Sequence, residues 1–373
     1  MAETTATGPT VAPSDAPTYI MADDLRDFAA RLLVKVDVPE DHARIVADVL
    51  VRGDLRGVDS HGVARLYTYY IGRIQKGLID PRPTVTVTRE TPVSVAIDGG
   101  NGLGHIASHQ AMSTVVEKAK TTGMAMATVK SSNHFGIAGY YAMMALEHNL
   151  IGMAFTNTQP LVMPLWGSKV MTGTNPIAVA VPAKNERSWV LDMATSVVPK
   201  GKLEVAARKG VPMPPGWAVD KNGLPTTDPN EALNGGAPMP LGGTRELGGH
   251  KGYDLAIFVD IFSGVLSGAG YGPHLTATSA SDIGHFFMAF RPDLFIDLDE
   301  FETRMDAFLR ELKETPPSPG VTRVLVAGEP EDEATEKYGR SGVPIHPKVM
   351  SELTRLSEEL GVPLPRHSTA PLA

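Results

Sequence analysis

The stretch Asp54–Leu66, DLRGVDSHGVARL, places Ser60, His61 and Arg65 within six positions. A histidine exchanges a proton near neutral pH. An arginine grips a carboxylate through two parallel hydrogen bonds. His61 and Arg65 are four residues apart, which on an α-helix puts both on one face. Such a pair suits a small keto acid or hydroxy acid. Read alone, the stretch is also a surface helix with Ser60 as its N-cap and two polar residues on it. A second histidine, His134, lies in SSNHFG directly after an apolar run that reads as a strand. Active-site loops emerge at strand ends in α/β proteins. TGTNPIAV and LDMATS are dense in small and hydroxylated residues, so their backbone N–H groups can approach a phosphate or a nicotinamide amide. GGHKGYD sets Lys251 between glycines at the mouth of an apolar helix, a point charge beside open backbone.

Two further motifs offer chemistry and are read otherwise. Gly102-Leu-Gly104-His-Ile-Ala107 fits the G-x-G-x-x-(G/A) dinucleotide fingerprint. The next strand, however, ends in Lys130 where an NAD-binding unit carries an acid. The expected reading is a tight turn rather than a Rossmann site. His105 and His109 have i, i+4 spacing, but neither an HExxH motif nor a nearby carboxylate cluster supports a metal, and none is expected. There is no Walker A motif and no G-x-S-x-G elbow.

These side chains sit in a chain of 373 residues, long enough for two or three domains or one large domain with an attached lobe. Hydrophobic residues at 42% and charged residues at 20% fit a soluble globular protein. The net charge of −8 and the absence of a basic run argue against a nucleic-acid partner. With no cysteine, disulfides, thiolate zinc sites, iron–sulfur clusters and cysteine nucleophiles are excluded. No apolar run reaches the roughly 18–20 residues of a membrane span. The Thr/Pro/Ala-rich start lacks the pattern of a signal peptide and reads as a disordered tail over 1–18. The expected compartment is the cytoplasm.

Positioning elements follow from periodicity. Helices are expected over 22–34, over 41–51 with Asp41 as a cap, and from Ser60 to about Lys76. Then PTVTVTRE and PVSVAID read as strands, 106–120 as a helix, and MAMATVK as a strand. A helix should start near Ile137. IGMAFTN, NPIAVAVPA and WVLDMA read as buried strands, and GKLEVAARKG as a short helix. The Pro/Gly-rich stretch from Val211 to Pro240 reads as a long ordered loop. DLAIFVDIFSGVLSGAG is apolar nearly all round and should be a buried helix. GHFFMAFRP and TRVLVAG read as strands. Helix 300–313 should present Phe301, Met305, Phe308, Leu309 and Leu312 on one face, and a last helix should span about 347–360.

Taken in order, DLRGVDSHGVARL, GGNGLGH, SSNHFGIAGYYA, MTGTNPIAVAVP, LDMATS, PLGG, HKGYDLA and GEPED resemble the malate/L-lactate dehydrogenase family of the non-Rossmann type. The likeness runs from about Ala22 to Leu360. It implies an α/β fold whose nicotinamide-binding domain is a largely antiparallel sheet flanked by helices, with a helical lobe built from both chain ends. The division expected is 19–90 with 318–373 for the lobe and 91–317 for the cofactor- and substrate-binding domain. The family works as dimers, so a homodimer is expected. Position by position, the resemblance gives His61 as proton donor or acceptor, with Ser60 beside it. Arg65 becomes the substrate-carboxylate ligand, and His134 a second active-site histidine. Cofactor contacts fall on Asp192, Met193 and Ala194, on His250 and Lys251 of HKG, on Gly328, Glu329 and Pro330, and on Thr158.

The expected activity is hydride transfer between NAD, or NADP, and C2 of a small 2-hydroxy/2-keto acid of malate, lactate, ureidoglycolate or sulfolactate type. Reduction of a cyclic 2-imino acid would use the same histidine and arginine. A non-catalytic dinucleotide sensor is the alternative outside enzymes.

Overall fold

The computed structural model describes residues 16–276 and 281–372, so most of the expected tail lies outside the described residues. The chain divides into two compact units, one formed up to Gln75 together with Glu331 onward, the other Lys76–Pro330. The seams fall at 75/76 and 330/331 rather than at 90/91 and 317/318. The reason lies in pairing. Thr86–Thr91 hydrogen-bonds to Ser94–Asp98 at the edge of the large sheet, and the Val190 N–H donates to the Ala327 carbonyl.

The helical unit begins with a strand, Thr18–Ile20, whose first residue is the last of the stretch read as tail. It pairs antiparallel with Val343–Ile345 on one side and His367–Ser368 on the other, which ties the two chain ends together. Helix Ala22–Val34 buries Leu25, Phe28, Ala29, Leu32 and Leu33, the positions its spacing predicts. Helix Glu40–Leu55 has Pro39 at its N-cap, and no cap bond comes from a side chain, Asp41 included. Helix Pro347–Leu360 buries Leu353 and Leu356.

The expected third helix from Ser60 does not form. The chain makes a 3₁₀ turn at Asp59–His61, another at Val63–Arg65, a π-helical turn at Leu66–Ile71 and a short α-helix at Gly72–Gln75. Gly62, at φ −91° and ψ −150°, is extended and separates the first two turns. Ser60 therefore caps nothing, and His61 and Arg65 do not share an α-helical face.

The sheet unit is organised by a seven-stranded sheet. Its order is Thr86–Thr91, Ser94–Asp98, Met124–Ser132, Ile283–Phe290, Ile151–Thr156, Ile177–Val181 and Trp189–Met193. Every neighbouring pair is antiparallel except Ser94–Asp98 with Met124–Ser132, joined by helix Gly104–Thr122. The central strand, Ile283–Phe290, is buried on both faces, and alternation assigns its side chains. Phe287 and His285 meet Phe135 and Tyr141 on one side. Phe286 packs with Val259 of helix Gly249–Asp260 on the other. Helices thus cover both faces.

Three expectations fail here. Residues 211–240 are not a bare loop: they hold a three-stranded sheet and helix Pro229–Leu233 around small apolar clusters. TRVLVAG forms no strand, because it runs past Val190 without a ladder. Helix Gly249–Asp260, continued by a π-turn at Ile261–Val265, buries only one face, leaving Phe258, Ile261, Val265 and Leu266 between 37% and 58% exposed. On helix Leu298–Lys313, Leu309 is buried while Phe308 and Leu312 reach solvent.

Candidate active site

What holds Ser60, His61 and Arg65 together is a buried carboxyl group under the break in the helix. Asp54, 5% exposed at the end of helix Glu40–Leu55, accepts a hydrogen bond from the Val63 N–H at 2.9 Å. That N–H is left over because extended Gly62 interrupts the turn-to-turn bonding. Gly62 itself lies against the carboxyl group, and a methyl there would overlap all three of its terminal atoms. Burial pushes the Asp54 carboxyl up to about 8, against the Val63 hydrogen bond, with Asp59 adding to the rise. On the outer side, Ser60 Oγ lies 2.9 Å from His61 Nδ1. Arg65 Nε donates to the Ser60 carbonyl at 2.6 Å. Backbone folding, not helical periodicity, brings the three into one cluster. Desolvation, then the Arg65 charge, lowers the half-buried His61 imidazole to about 4, so it is neutral at pH 7.

His134 sits in the sheet unit. Its loop is anchored on both sides. Ahead of it, buried Asn133 donates through Nδ2 to the carbonyls of Gly102 and Asn101 and to the Asn101 side chain. Behind it, the Gly136 N–H donates to His134 Nδ1 at 3.2 Å. This assigns the proton of the neutral ring to Nε2. The glycine fingerprint finds its purpose here: a Cβ on Gly104 would run into the carbonyls of Asn133 and His134. The close approach of Gly104 lets the motif pack against that loop. Lys130, the residue that counted against a dinucleotide, pairs with Asp98 at 3.7 Å. Beneath the loop, fully buried His285 bridges Ser132 Oγ at 2.9 Å and Thr156 Oγ1 at 2.7 Å and stacks on Phe135. Burial drives His285 down to about 3, and His105, buried beside it, likewise. Among the described residues no group of three or more His, Cys, Asp or Glu is placed to hold a metal.

The residues matched to cofactor contacts lie on loops stitched to one another. Asp192, exposed near the end of strand Trp189–Met193, accepts from the Gly139 N–H at 2.7 Å and so caps helix Ala138–Met144, just past His134. Met193 and Ala194 follow, half-buried. Thr195, next along, is fastened to the Thr174 carbonyl by its N–H and its hydroxyl. The Thr174 N–H in turn donates to Thr158 Oγ1 at 3.0 Å. The Leu241 N–H donates to the Thr195 carbonyl, which brings in the PLGG turn. That turn packs on the start of helix Gly249–Asp260, where Cβ atoms on Gly249 or Gly252 would strike its backbone. His250 and Lys251 are exposed in the first helical turn. Gly328, at φ +92°, lies against Val190, two residues before Asp192. Glu329 turns back on its own loop, toward the Val326 N–H at 3.4 Å and Arg323 at 3.6 Å, with Pro330 following.

An open groove of about 510 Å³ on the helical unit contains none of these residues. Arg26, Arg31 and Arg44 along it are paired with Asp23 and Asp48, Asp27 and Glu40, so it is a solvated ion-pair surface. Sequence reading passed over Asp54, Asn133, Asn157, Asn175 and Asp260. The signal for the two acids was a carboxylate inside an otherwise apolar helical run.

The sequence pattern of the malate/L-lactate dehydrogenase family matches residues 20–354. The chain belongs to that family. It is 46% identical to the malate dehydrogenase of Pyrococcus horikoshii over 91% of this chain and 95% of that protein. To the L-sulfolactate dehydrogenase of Methanocaldococcus jannaschii it is 38% identical over 89% and 94% of the two chains. The crystal structure of malate dehydrogenase from Entamoeba histolytica superposes with a TM-score of 0.88 at 37% identity, covering 94% of this chain and all of that one. The mixed α/β architecture described above is the family's, and it is not a closed barrel.

Proposed function

We propose that the protein is a nicotinamide-dependent dehydrogenase that interconverts a small 2-hydroxy acid and its 2-keto acid. The observation that carries the reading is the Ser60–His61–Arg65 cluster held on Asp54. The substrate proposed is of the malate or sulfolactate kind, in keeping with the relatives at 46% and 38% identity.

Arg65 takes the substrate carboxylate and so fixes which face of C2 is presented. In oxidation, His61 in its neutral form, with Nδ1–H toward Ser60, accepts the hydroxyl proton on Nε2 as the C2–O bond becomes a carbonyl. In reduction the same atom returns that proton to the oxygen. His134, whose Nδ1 accepts from the Gly136 N–H, is the proposed second active-site histidine. The nicotinamide, when bound, accepts or supplies the hydride at C2. Substrate binding also acts on the base: desolvation is the main cause that holds His61 low, and a carboxylate on Arg65 offsets the second, the Arg65 charge.

The sheet unit suits the cofactor. Lys251 in the first turn of a twelve-residue helix offers a cation and helix amino-end charge for phosphates. Asp192 offers a carboxylate for hydroxyls, backed by Met193, Ala194 and Thr158. NAD is the proposed partner, supported by the net charge of −8 and the lack of an obvious arginine cluster in the sequence. The working form is proposed to be a cytoplasmic homodimer. The exposed apolar stripe of Phe258, Ile261, Val265 and Leu266 supports burial against a second copy. No helix among the described residues is long and apolar enough to cross a membrane.

The test is absorbance at 340 nm with NADH and NADPH against oxaloacetate, sulfopyruvate, pyruvate and a cyclic 2-imino acid. Turnover of an anionic 2-keto acid supports the reading. Turnover of the imine alone, or cofactor binding without turnover, overturns it. Light scattering of wild type against Val265→Glu tests the dimer: a wild-type monomer refutes it.

A further inference from the structure

Asp260 lies in the middle of the run DLAIFVDIF, where an acid breaks an apolar sequence. It is 9% exposed and has no place in the proton or hydride chemistry. Its two oxygens are engaged by different side-chain amides. Oδ1 accepts from Asn157 Nδ2 at 3.1 Å, and Oδ2 accepts from Asn175 Nδ2 at 3.0 Å. The Gly272 N–H approaches Oδ1 at 3.5 Å. Each amide is saturated. Asn157 Nδ2 also donates to the Gly270 carbonyl, and its Oδ1 accepts from the Gly284 N–H. Asn175 Nδ2 also donates to the Ala256 carbonyl, and its Oδ1 accepts from the Thr158 N–H. Neither amide can flip without losing bonds. Asn175 itself sits at φ +34°, in the left-handed half of backbone space.

The carboxylate therefore ties three segments to one point. Thr158 follows Asn157 directly, and its N–H hangs on Asn175. Thr174 precedes Asn175 and binds Thr158 Oγ1, while Thr195 binds both the Thr174 and Asn175 carbonyls. The helix that carries Asp260 is the one that presents His250 and Lys251 at its other end. We propose that Asp260 is a positioning residue of the cofactor cradle, locking the Thr158, Thr174 and Thr195 turns to the helix that bears Lys251. The inference rests on the cofactor reading above, and it adds the residue that sets the spacing between the two halves of that cradle.

Only an acceptor on both oxygens satisfies the site. Asp260→Asn is nearly isosteric, yet it turns one oxygen into an NH₂ that faces another NH₂, so one asparagine must let go. The experiment compares wild type and Asp260→Asn as full-length protein. NADH dissociation constants are measured by fluorescence, Michaelis constants by absorbance, and amide hydrogen exchange by mass spectrometry. The lock predicts an NADH dissociation constant raised at least tenfold with a keto-acid Michaelis constant changed less than twofold. It also predicts faster exchange in peptides covering 157–158 and 174–175, with helix Gly104–Thr122 unchanged. Equal NADH affinity and equal exchange overturn it. So does a variant whose exchange rises evenly across the sheet unit, since that marks a general stability role. If wild type binds neither NADH nor NADPH, the cofactor reading fails. The lock is then judged on exchange alone: local loosening at the two turns upholds it, and none refutes it.

Discussion

Gly62→Ala probes the turn beneath His61 and Arg65. The added Cβ would fall well inside the 3.0 Å that real Cβ contacts respect, against Asp54 Oδ1, Cγ and Oδ2 together. The Gly62 backbone angles are open to alanine, so the cost comes from collision and not from dihedral strain. Asp54 has a short side chain on a packed helix, and it must retreat by about 1.5 Å to regain an ordinary C–H···O separation. Retreat breaks its bond to the Val63 N–H. A buried donor left unmade costs about 1–3 kcal/mol, and overpacking adds about 1–3 kcal/mol. The expected loss is therefore about 2–6 kcal/mol. Because Gly62 lies between His61 and Arg65, turnover should fall further than the loss of folded protein explains. The assay is thermal or urea unfolding with steady-state keto-acid reduction, run also in an Asp54→Ala background where the clash is relieved. There the same substitution should cost less by about 0.5–3 kcal/mol, the range for residues in contact. Gly62→Ala with wild-type stability and turnover, or with the same cost in both backgrounds, refutes the reasoning.

Other expectations concern protons. Asp54 is raised in the folded state, so the native protein holds a proton that the unfolded chain releases above about 3.8. Its contribution to stability is full below that pH and is lost as pH rises through about 8, at up to about 1.4 kcal/mol per unit. Denaturant titrations of Asp54→Asn should accordingly gain on wild type as pH goes from 4 to 8; parallel curves would refute the buried, protonated carboxyl. With His61 at about 4 in the free enzyme, kcat/KM for hydroxy-acid oxidation should be flat from about pH 6 to 9, while kcat/KM for reduction falls about tenfold per unit. Arg65→Gln should move the reduction profile to higher pH, and an unmoved profile would dissociate Arg65 from His61.

Much of this was legible in the sequence because it depends on local periodicity. The face of helix Ala22–Val34 and the strands Ile151–Thr156, Ile177–Val181 and Trp189–Met193 came from spacing alone. The lobe made from both chain ends came only from the resemblance, since Thr18–Ile20 pairs with partners more than 300 residues away. Ser60, His61 and Arg65 do lie together, but not for the reason their spacing suggests. Helical spacing suggested His61 and Arg65, whereas the turn is broken at Gly62 and closed by the Ser60 carbonyl. The break was hidden because it depends on Asp54, a non-local acceptor. Exposure of the stripe at Ile261 and Val265 was missed because an apolar helix reads as buried whether its cover is the same chain or another.

The most direct measurement of the central claim is single-turnover reduction of a 2-keto acid by His61→Ala, with NADH binding measured on the same sample. Loss of the His61 proton transfer should lower the rate by about 10²–10⁴-fold with NADH affinity unchanged. A near-normal rate, or a loss that tracks lost NADH binding, contradicts it.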